Sequence, residues 1–344
     1  MSWDRVRGHA AALASFRTAT AAGRLGQSYL FVGPDGIGKR LFARELAKAL
    51  LCDRPPAALA ACDRCPACAQ VEAGTHPDLF AVRRREDKND LLIDDMRIFC
   101  GQMAMKPTRG TRKVGVVEDA DDLNANSANA FLKTLEEPPA GSLVILLATD
   151  LDRQLPTILS RCQVVRFAAL GPADLRAVLS GQGVTDAARL DRLVRLGGGS
   201  AAQALALNDE EFWDVRRKLI DGLTAPRPDF RGLAETWEQF YTDAGKDSAA
   251  QRLRISLVLR FLIEALQHAL RLSLGATAAE LEPAEADRLR AFADRLGTDR
   301  LLELIDECVE ADFHVERKVQ LILIVESVLE RFTRPAASFR VAPP

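Results

Sequence analysis

Apolar residues in the first half of the chain come in short continuous runs that alternate with longer segments of helical periodicity. A run of four to seven mostly apolar residues between polar or glycine-containing segments is typical of a buried strand in a parallel sheet. Such runs occupy residues 29–32, 79–82, 113–117, 142–148 and 163–167. Segments 41–50 and 125–136 instead repeat apolar residues three and four positions apart, as amphipathic helices do. The alternation predicts an α/β domain with a parallel sheet.

The second half lacks such runs, and its apolar residues follow the helical period. Short amphipathic helices are expected in 171–209, where three glycines at 197–199 provide a joint. Longer helical segments follow at 212–223, 230–244, 249–274, 284–295 and 298–332, with turns expected to interrupt some of them. Residues 319–332 are apolar on nearly every side, which predicts burial either in the chain's own core or against a neighbouring subunit.

These patterns divide the chain into an α/β domain and an all-α remainder. We predict the α/β domain over residues 1–169, a small helical domain over 170–209 and a larger helical domain over 210–334. Residues 335–344 contain three prolines and are expected to form a loose tail. A length of 344 residues is sufficient for domains that each bury a core.

Composition excludes several classes of protein. Apolar residues make up 48% and charged residues 27%, and the net charge of −2 gives no general attraction to DNA, so any nucleic-acid contact has to be local. No stretch approaches the roughly 18 apolar residues of a membrane span, and the amino terminus lacks the apolar core of a signal peptide. We therefore expect a cytoplasmic protein.

Four of the seven cysteines are clustered at Cys52, Cys62, Cys65 and Cys68. The repeated C-x-x-C step allows four thiolates to approach one ion, which predicts a closed tetrahedral site for structural Zn²⁺ with no open position for catalysis. A cytoplasmic location argues against a disulfide framework. The alternative is a loop with unligated thiols. The isolated cysteines are expected to be small buried residues: Cys100, Cys162 and Cys308.

A glycine-rich loop joins the first predicted strand to a predicted helix. It contains Gly33, Gly36, Gly38 and Lys39, the residues with which a phosphate loop closes backbone N–H groups and an ammonium on a nucleotide's phosphates. The next residue is Arg40, where a serine or threonine normally binds Mg²⁺, and a guanidinium offers no oxygen ligand. Nucleotide binding and hydrolysis are therefore separate questions, and the alternative is a glycine turn that binds no nucleotide.

Polar residues follow two more of the predicted strands. Glu118 and Asp119 come after the strand at 113–117, where the first acid of a nucleotide-hydrolysing site holds Mg²⁺ and the second orients water. The usual order is Asp then Glu, and the inversion displaces both carboxylates by about one methylene, which makes hydrolysis harder. The alternative is two solvated acids. Thr149 follows the strand at 142–148, at the edge where open α/β sheets bind ligands.

These motifs, followed by Ser160-Arg161-Cys162, occur in the order seen in AAA+ clamp-loader subunits of bacterial DNA polymerase III, which the chain resembles over residues 3–167. The segments Gly74 to Asp78, Asn129 to Pro139 and the four-cysteine insert after the first helix match as well. The resemblance implies an AAA+ fold with a zinc-binding insert at about 52–68, a helical lid at 170–209 and a helical collar at 210–334. The implied partners are the γ/τ ATPases and δ in a five-subunit ring, with the sliding clamp and primed DNA reached through the complex.

The resemblance also implies a role for Arg161, which in this family is an arginine finger that reaches a neighbour's ATP. A guanidinium donates in a planar fork to phosphate oxygens and stabilises transition-state charge. Active relatives carry an arginine in the lid where this chain has Ala202. The three departures at Arg40, at the Glu118-Asp119 pair and at Ala202 predict a subunit without ATPase activity of its own. Passive binding of ATP or ADP through Lys39 stays open.

Two alternative functions accompany this hypothesis. The first is an active γ/τ-like ATPase, in which another oxygen would have to replace the ligand missing at Arg40. The second is a zinc-dependent nucleic-acid-binding module that uses the basic triplet 83–85.

Overall fold

The computed structural model describes residues 3–85, 88, 90–276, 281, 283–317 and 319–333. The chain divides into two compact units, Met1–Ala206 and Leu207–Pro344. The first contains a parallel sheet with helices and the second is helical, which confirms the predicted fold class of an α/β domain with a parallel sheet followed by an all-α region. The finer division at residues 169 and 209 stays a prediction. The loose tail predicted at 335–344 lies outside the described residues.

The first unit contains a five-stranded parallel sheet in the order β2-β3-β4-β1-β5. Its strands are β1 (Ser28–Val32), β2 (Leu79–Val82), β3 (Lys113–Val117), β4 (Ser142–Ala148) and β5 (Gln163–Arg166). Every residue of β1, β3 and β4 is buried, as their continuous apolar sequences predict. Because β3, β4 and β1 are consecutive in the sheet and run parallel, their carboxyl ends meet at one edge of the sheet.

Helices cover both faces of this sheet. The helices of this unit are α1 (Ala10–Ala21), α2 (Lys39–Leu51), α3 (Pro66–Glu72), α4 (Ile93–Ala104), α5 (Ala125–Glu136), α6 (Pro156–Leu159), α7 (Pro172–Gly181), α8 (Ala187–Leu196) and α9 (Ala201–Ala206). One face packs an aromatic cluster in which Phe42 of α2 contacts Phe31 and Phe167 at ring-centroid distances of 5.7 and 5.1 Å. The other face packs Phe99 of α4 against Phe131 of α5. The two cores fix the sheet edge that carries the glycine loop.

The second unit consists of helices α10 (Glu210–Thr224), α11 (Phe230–Thr242), α12 (Ser248–Ser273), α13 (Pro283–Leu296), α14 (Thr298–Glu316) and α15 (Leu321–Thr333). The segment predicted at 298–332 is thus two helices, broken after α14. Arg252 of α12 donates from Nη1 to the carbonyls of Val315 and Val319 at 3.0 and 3.2 Å, and these bonds stabilise the break.

The apolar residues of α15 are only partly buried within this chain. Of the apolar residues between 319 and 332, Ile324, Val325, Val328 and Leu329 are buried, whereas Leu323 is 53% exposed. Among the described helices, none combines the length and the apolar character that crossing a membrane requires.

Candidate functional site

The glycine loop lies at the carboxyl end of β1 and leads directly into α2. Gly36 and Gly38 have φ of +72° and +107°, in the left-handed region that favours glycine. At the loop's base the Gly33 N–H donates to the Ala148 carbonyl at 3.3 Å, which brings the end of β4 beside it. The sequence-predicted loop residues and Thr149 are therefore neighbours.

Lys39 points back at the loop rather than outward. Its buried ammonium donates to the carbonyls of Gly33 and Pro34, at 2.5 and 2.7 Å. Burial lowers the pKa of Lys39, against the opposing effect of nearby Asp35 and Asp121. The side chain that would reach a nucleotide's terminal phosphates thus has two of its three N–H donors bound within the loop.

Arg40 forms an ion pair with Glu118, with Nη2 and Oε2 separated by 2.5 Å. The Glu118 side chain is only 14% exposed, and burial raises its pKa while the Arg40 charge opposes that rise. In a hydrolysing site the acid at this position would hold Mg²⁺. Here the Arg40 guanidinium supplies the positive charge that the Glu118 carboxylate requires. Arg40 stands where a serine or threonine would normally bind Mg²⁺, so the side chain that replaces one metal ligand also neutralises the other.

Asp119 and Thr149 also have partners within the chain. An Asp119 carboxylate oxygen accepts from the Arg84 N–H at 2.8 Å, and burial raises the Asp119 pKa. The Thr149 N–H donates to Asp121 at 2.7 Å, and the Gln154 amide donates to the other oxygen of Asp121, also at 2.7 Å. These bonds orient Asp119 toward the β2 side and connect β4 to the segment after β3.

The amino-terminal end of α9 contacts the glycine loop directly. The N–H groups of Ala201 and Ala202 donate to the Gly36 carbonyl at 3.0 and 3.4 Å. A Cβ added at Gly36 would lie 2.3 Å from Ser200 Oγ and 2.5 Å from Ala202 Cβ. The departure predicted at Ala202 thus places a methyl group against the glycine loop.

Arg161 lies at the other end of the sheet from the glycine loop. It precedes β5, and β5 starts at Gln163 opposite Tyr29 and ends at Arg166 opposite Val32. Four strand residues, roughly 13 Å at the usual rise, therefore separate the level of Arg161 from the level at which β1 enters the loop. Because the strands are parallel, Arg161 belongs to the amino-terminal edge and the chain's own loop to the carboxyl edge.

The four clustered cysteines converge on one point between α2 and α3. The Sγ atoms of Cys52, Cys62, Cys65 and Cys68 all lie within 4.8 Å of one another. The Cys52–Cys65 and Cys62–Cys68 sulfur distances are 3.9 and 4.0 Å. Tetrahedral Zn²⁺ with Zn–S bonds of about 2.3 Å places its sulfurs about 3.8 Å apart, so the cluster fits such an ion.

Hydrogen bonds around the sulfurs suit thiolate ligands. The Cys62 N–H donates to Cys52 Sγ, and the Cys68 N–H donates to Cys65 Sγ, each at 3.4 Å. Backbone donation, chiefly from Arg64, lowers the pKa of Cys62 to about 6, whereas burial raises that of Cys68. His76 lies outside the cluster, and its Nδ1 accepts from the Asp78 N–H at 3.1 Å.

Sequence reasoning missed two acids that contact the predicted functional residues or their neighbours. Asp121 connects Thr149 to Gln154, and Glu136 binds the guanidinium of Arg161. Glu136 ends α5, twenty-five residues before Arg161. No sequence motif identifies either acid, because both sets of contacts depend on which elements are adjacent in the fold. The position of Asp121 two residues after Asp119 is the one signal available.

Comparison with known proteins extends these observations. A family model described as "DNA polymerase III, delta subunit" matches residues 8–171. The chain is 37% identical to DNA polymerase III subunit delta′ of Pseudomonas aeruginosa over 215 residues, which cover 61% of this chain and 65% of that protein. It is 33% identical to subunit tau of Escherichia coli over 210 residues, which cover 60% of this chain and 32% of that protein.

The aligned part thus spans less than two thirds of the length of either relative. A solved DNA polymerase III gamma subunit-related protein of Thermotoga maritima is also similar, with a TM-score of 0.48, 18% identity and coverage of 92% of this chain and 98% of that one. The resemblance predicted from the motifs is confirmed over about 60% of the chain.

Proposed function

We propose that this chain belongs to the clamp-loader subunits of DNA polymerase III and is a δ′-like subunit that hydrolyses no ATP and lends Arg161 to the ATP site of a neighbouring subunit. The partners would be the γ/τ ATPases and δ in a five-subunit ring that loads the sliding clamp on primed DNA. Cytoplasmic location, the lid at 170–209 and the collar at 210–334 belong to the same proposal.

The observation that carries the proposal is the ion pair between Arg40 and Glu118. A loop that hydrolyses ATP needs a cation on this acid that also bridges the phosphates, and a guanidinium cannot ligate phosphate oxygens as Mg²⁺ does. Because Arg40 is a covalent part of the chain, it does not leave Glu118 as a dissociable ion would. The inward orientation of Lys39 and the hydrogen bond from Arg84 to Asp119 also leave hydrolysis without its usual groups.

The position of Arg161 supports the second half of the proposal. A side chain at the amino-terminal edge of the sheet cannot serve the loop at the carboxyl edge of the same sheet, so any phosphate that it contacts belongs to another chain. Its side chain is 29% exposed, which allows such a contact.

The cysteine cluster is proposed to hold one structural Zn²⁺. Four thiolates would fill its coordination sphere, so the ion would stabilise the fold of 52–68 rather than take part in a reaction.

Steady-state ATP turnover by the reconstituted ring tests the finger. Arg161→Ala should reduce hydrolysis at the neighbouring site by about a thousandfold, the usual contribution of an arginine supplied in trans. Arg176→Ala is the matched control, because Arg176 also pairs with a surface acid, Asp191, in the same unit. Normal turnover at every site of a ring that contains Arg161→Ala would refute the proposal.

An active γ/τ-like ATPase is the second candidate, favoured by the intact glycines and Lys39 and by the similarity to subunit tau. ATP turnover of about one per second by the isolated chain would support it. A nucleic-acid-binding module has less support, because Arg84 and Arg85 form ion pairs with Asp122 and Asp95 at 2.9 and 2.6 Å.

A further inference from the structure

The guanidinium of Arg161 is held by its own subunit. Its Nε donates to Glu136 Oε1 at 2.9 Å, and its Nη2 contacts the same oxygen. Its Nη1 donates to the Thr157 carbonyl at 2.9 Å and to Ser160 Oγ at 3.0 Å. All three nitrogens are thus directed at partners on α5 and α6.

This geometry has a consequence for any phosphate ligand. A guanidinium has five N–H groups, and bidentate donation requires two of them on one edge to face the ligand. Four are used here, and the edge formed by Nε and Nη2 is the one that Glu136 occupies. Arg161 therefore has to exchange this carboxylate for phosphate oxygens before it can donate bidentately along that edge.

We propose that Glu136 is a positioning residue that holds Arg161 against its own subunit and releases it to the triphosphate of a neighbour. This inference rests on the proposed finger role of Arg161. The Glu136 carboxylate competes with phosphate oxygens because both bind the same N–H donors of Arg161. Glu136 stands at the carboxyl end of α5, where the helix dipole adds negative potential that also attracts the guanidinium. The exchange makes engagement of the arginine dependent on a ligand of higher negative charge.

The exposure of both partners determines how strong the hold is. The side chains of Arg161 and Glu136 are 29% and 48% exposed, so water and salt screen the pair. A pair of this kind changes an equilibrium by about two- to fivefold. Such a hold is weak enough for a bound nucleoside triphosphate to displace and strong enough to set the resting position of the guanidinium.

The test is ATP hydrolysis by the reconstituted ring with Glu136→Gln in this chain. Because the weaker amide acceptor no longer competes with phosphate by charge, KM for ATP at the neighbouring site should fall about two- to fivefold, with kcat changed by less than twofold. Glu136→Asp restores the charge and should move KM back toward the wild-type value. Glu137→Gln removes the same charge one residue away, at an exposed acid for which the described residues contain no ion pair.

A KM in the Glu136→Gln ring equal to that of the Glu137→Gln ring would overturn the inference, because the effect would then come from surface charge alone. A fall in kcat would also overturn it, since Glu136 would then assist Arg161 in the transition state rather than withhold it. If Arg161→Ala leaves turnover intact, the finger role itself is refuted.

A second measurement on the isolated chain is independent of the ring. The Arg161 Nε–H, identified by its loss in Arg161→Lys, should exchange with solvent severalfold faster in Glu136→Gln than in wild type or in Glu137→Gln, as NMR of the guanidinium would detect. Equal exchange rates in the three proteins would show that the carboxylate does not hold the arginine, whatever the role of Arg161.

Discussion

Lys48 connects the helix after the glycine loop to the cysteine module, and its replacement by methionine should be severely destabilising. Its Nζ lies 3.0 Å from Glu45, 3.0 Å from Asp63 and 3.3 Å from Glu72. Glu45 is fully buried and Lys48 is 6% exposed. Lys48→Met would leave the Glu45 carboxylate in the interior without its counter-ion.

The cost can be worked out from this burial. Removal of one partner of a buried ion pair costs about 3–5 kcal/mol, and the half-exposed Asp63 and Glu72 add at most about 1 kcal/mol each. Because Glu45 can take up a proton, we expect the lower end, about 3 kcal/mol. Glu45→Gln with Lys48→Met removes both charges and should cost only about 1 kcal/mol, so adding Glu45→Gln to Lys48→Met should restore about 2 kcal/mol of stability.

The pH dependence has a defined sign. Burial raises the pKa of Glu45 in the folded chain, although the Lys48 hydrogen bond opposes that rise. Without Lys48 the folded state therefore binds this proton more tightly than the unfolded state. The destabilisation by Lys48→Met should then shrink as the pH falls from 7 through the raised folded-state pKa, toward the ordinary glutamate value of about 4.3.

Native-state hydrogen exchange of the α2 amides measures the destabilisation by Lys48→Met at the site of the substitution. A change of about 3 kcal/mol corresponds to roughly a hundredfold faster exchange of α2 in Lys48→Met. Amides of α12, in the other unit, serve as an internal control, and the double variant at each pH corrects for any loss of metal in acid. Exchange rates that are the same in the single and double variants would refute this account of the pair.

Two further predictions concern the cluster and the loop. Cys65→Ser should reduce bound zinc from one ion per chain to none at micromolar free metal and increase exchange in α3, and a wild-type chain that contains no zinc by metal analysis would contradict the assignment. Gly36→Ala should lower the free energy of unfolding by about 1–3 kcal/mol, because Gly36 has a φ of +72° and its new Cβ would clash with Ser200 and Ala202. The effect should be detected as faster hydrogen exchange in α9. Gly74→Ala is the control, because Gly74 is also at positive φ but has open space around it, and it should leave α9 exchange unchanged.

The sheet was the most predictable part of the fold, because a strand that is buried on both faces has a continuous run of apolar residues. β4 coincides with the predicted run 142–148 for this reason. The break between α14 and α15 could not be placed, since no glycine or proline marks residues 316–320. The hydrogen bonds that stabilise it come from Arg252, more than sixty residues earlier in the chain.

The candidate site was predictable as a set of residues and not as a set of contacts. Arg40 and Glu118 could each be recognised as a departure, but their ion pair depends on the sheet order that brings the ends of β1 and β3 to the same edge. The pairing of Arg161 with Glu136 likewise depends on α5 and α6 being adjacent. Local patterns encode which side chains are present, and tertiary topology decides which of them meet.

The strand register has a consequence for assembly. In the proposed ring, a subunit whose arginine lies at one edge of the sheet and whose loop lies at the other would contact its neighbours head to tail, so the series of subunits would have a direction. A subunit whose own glycine loop hydrolyses no ATP makes no use of an arginine that a neighbour would direct at that loop. It is therefore suited to stand at one terminus of the row, and the polarity of the whole arc can be encoded in a single polypeptide.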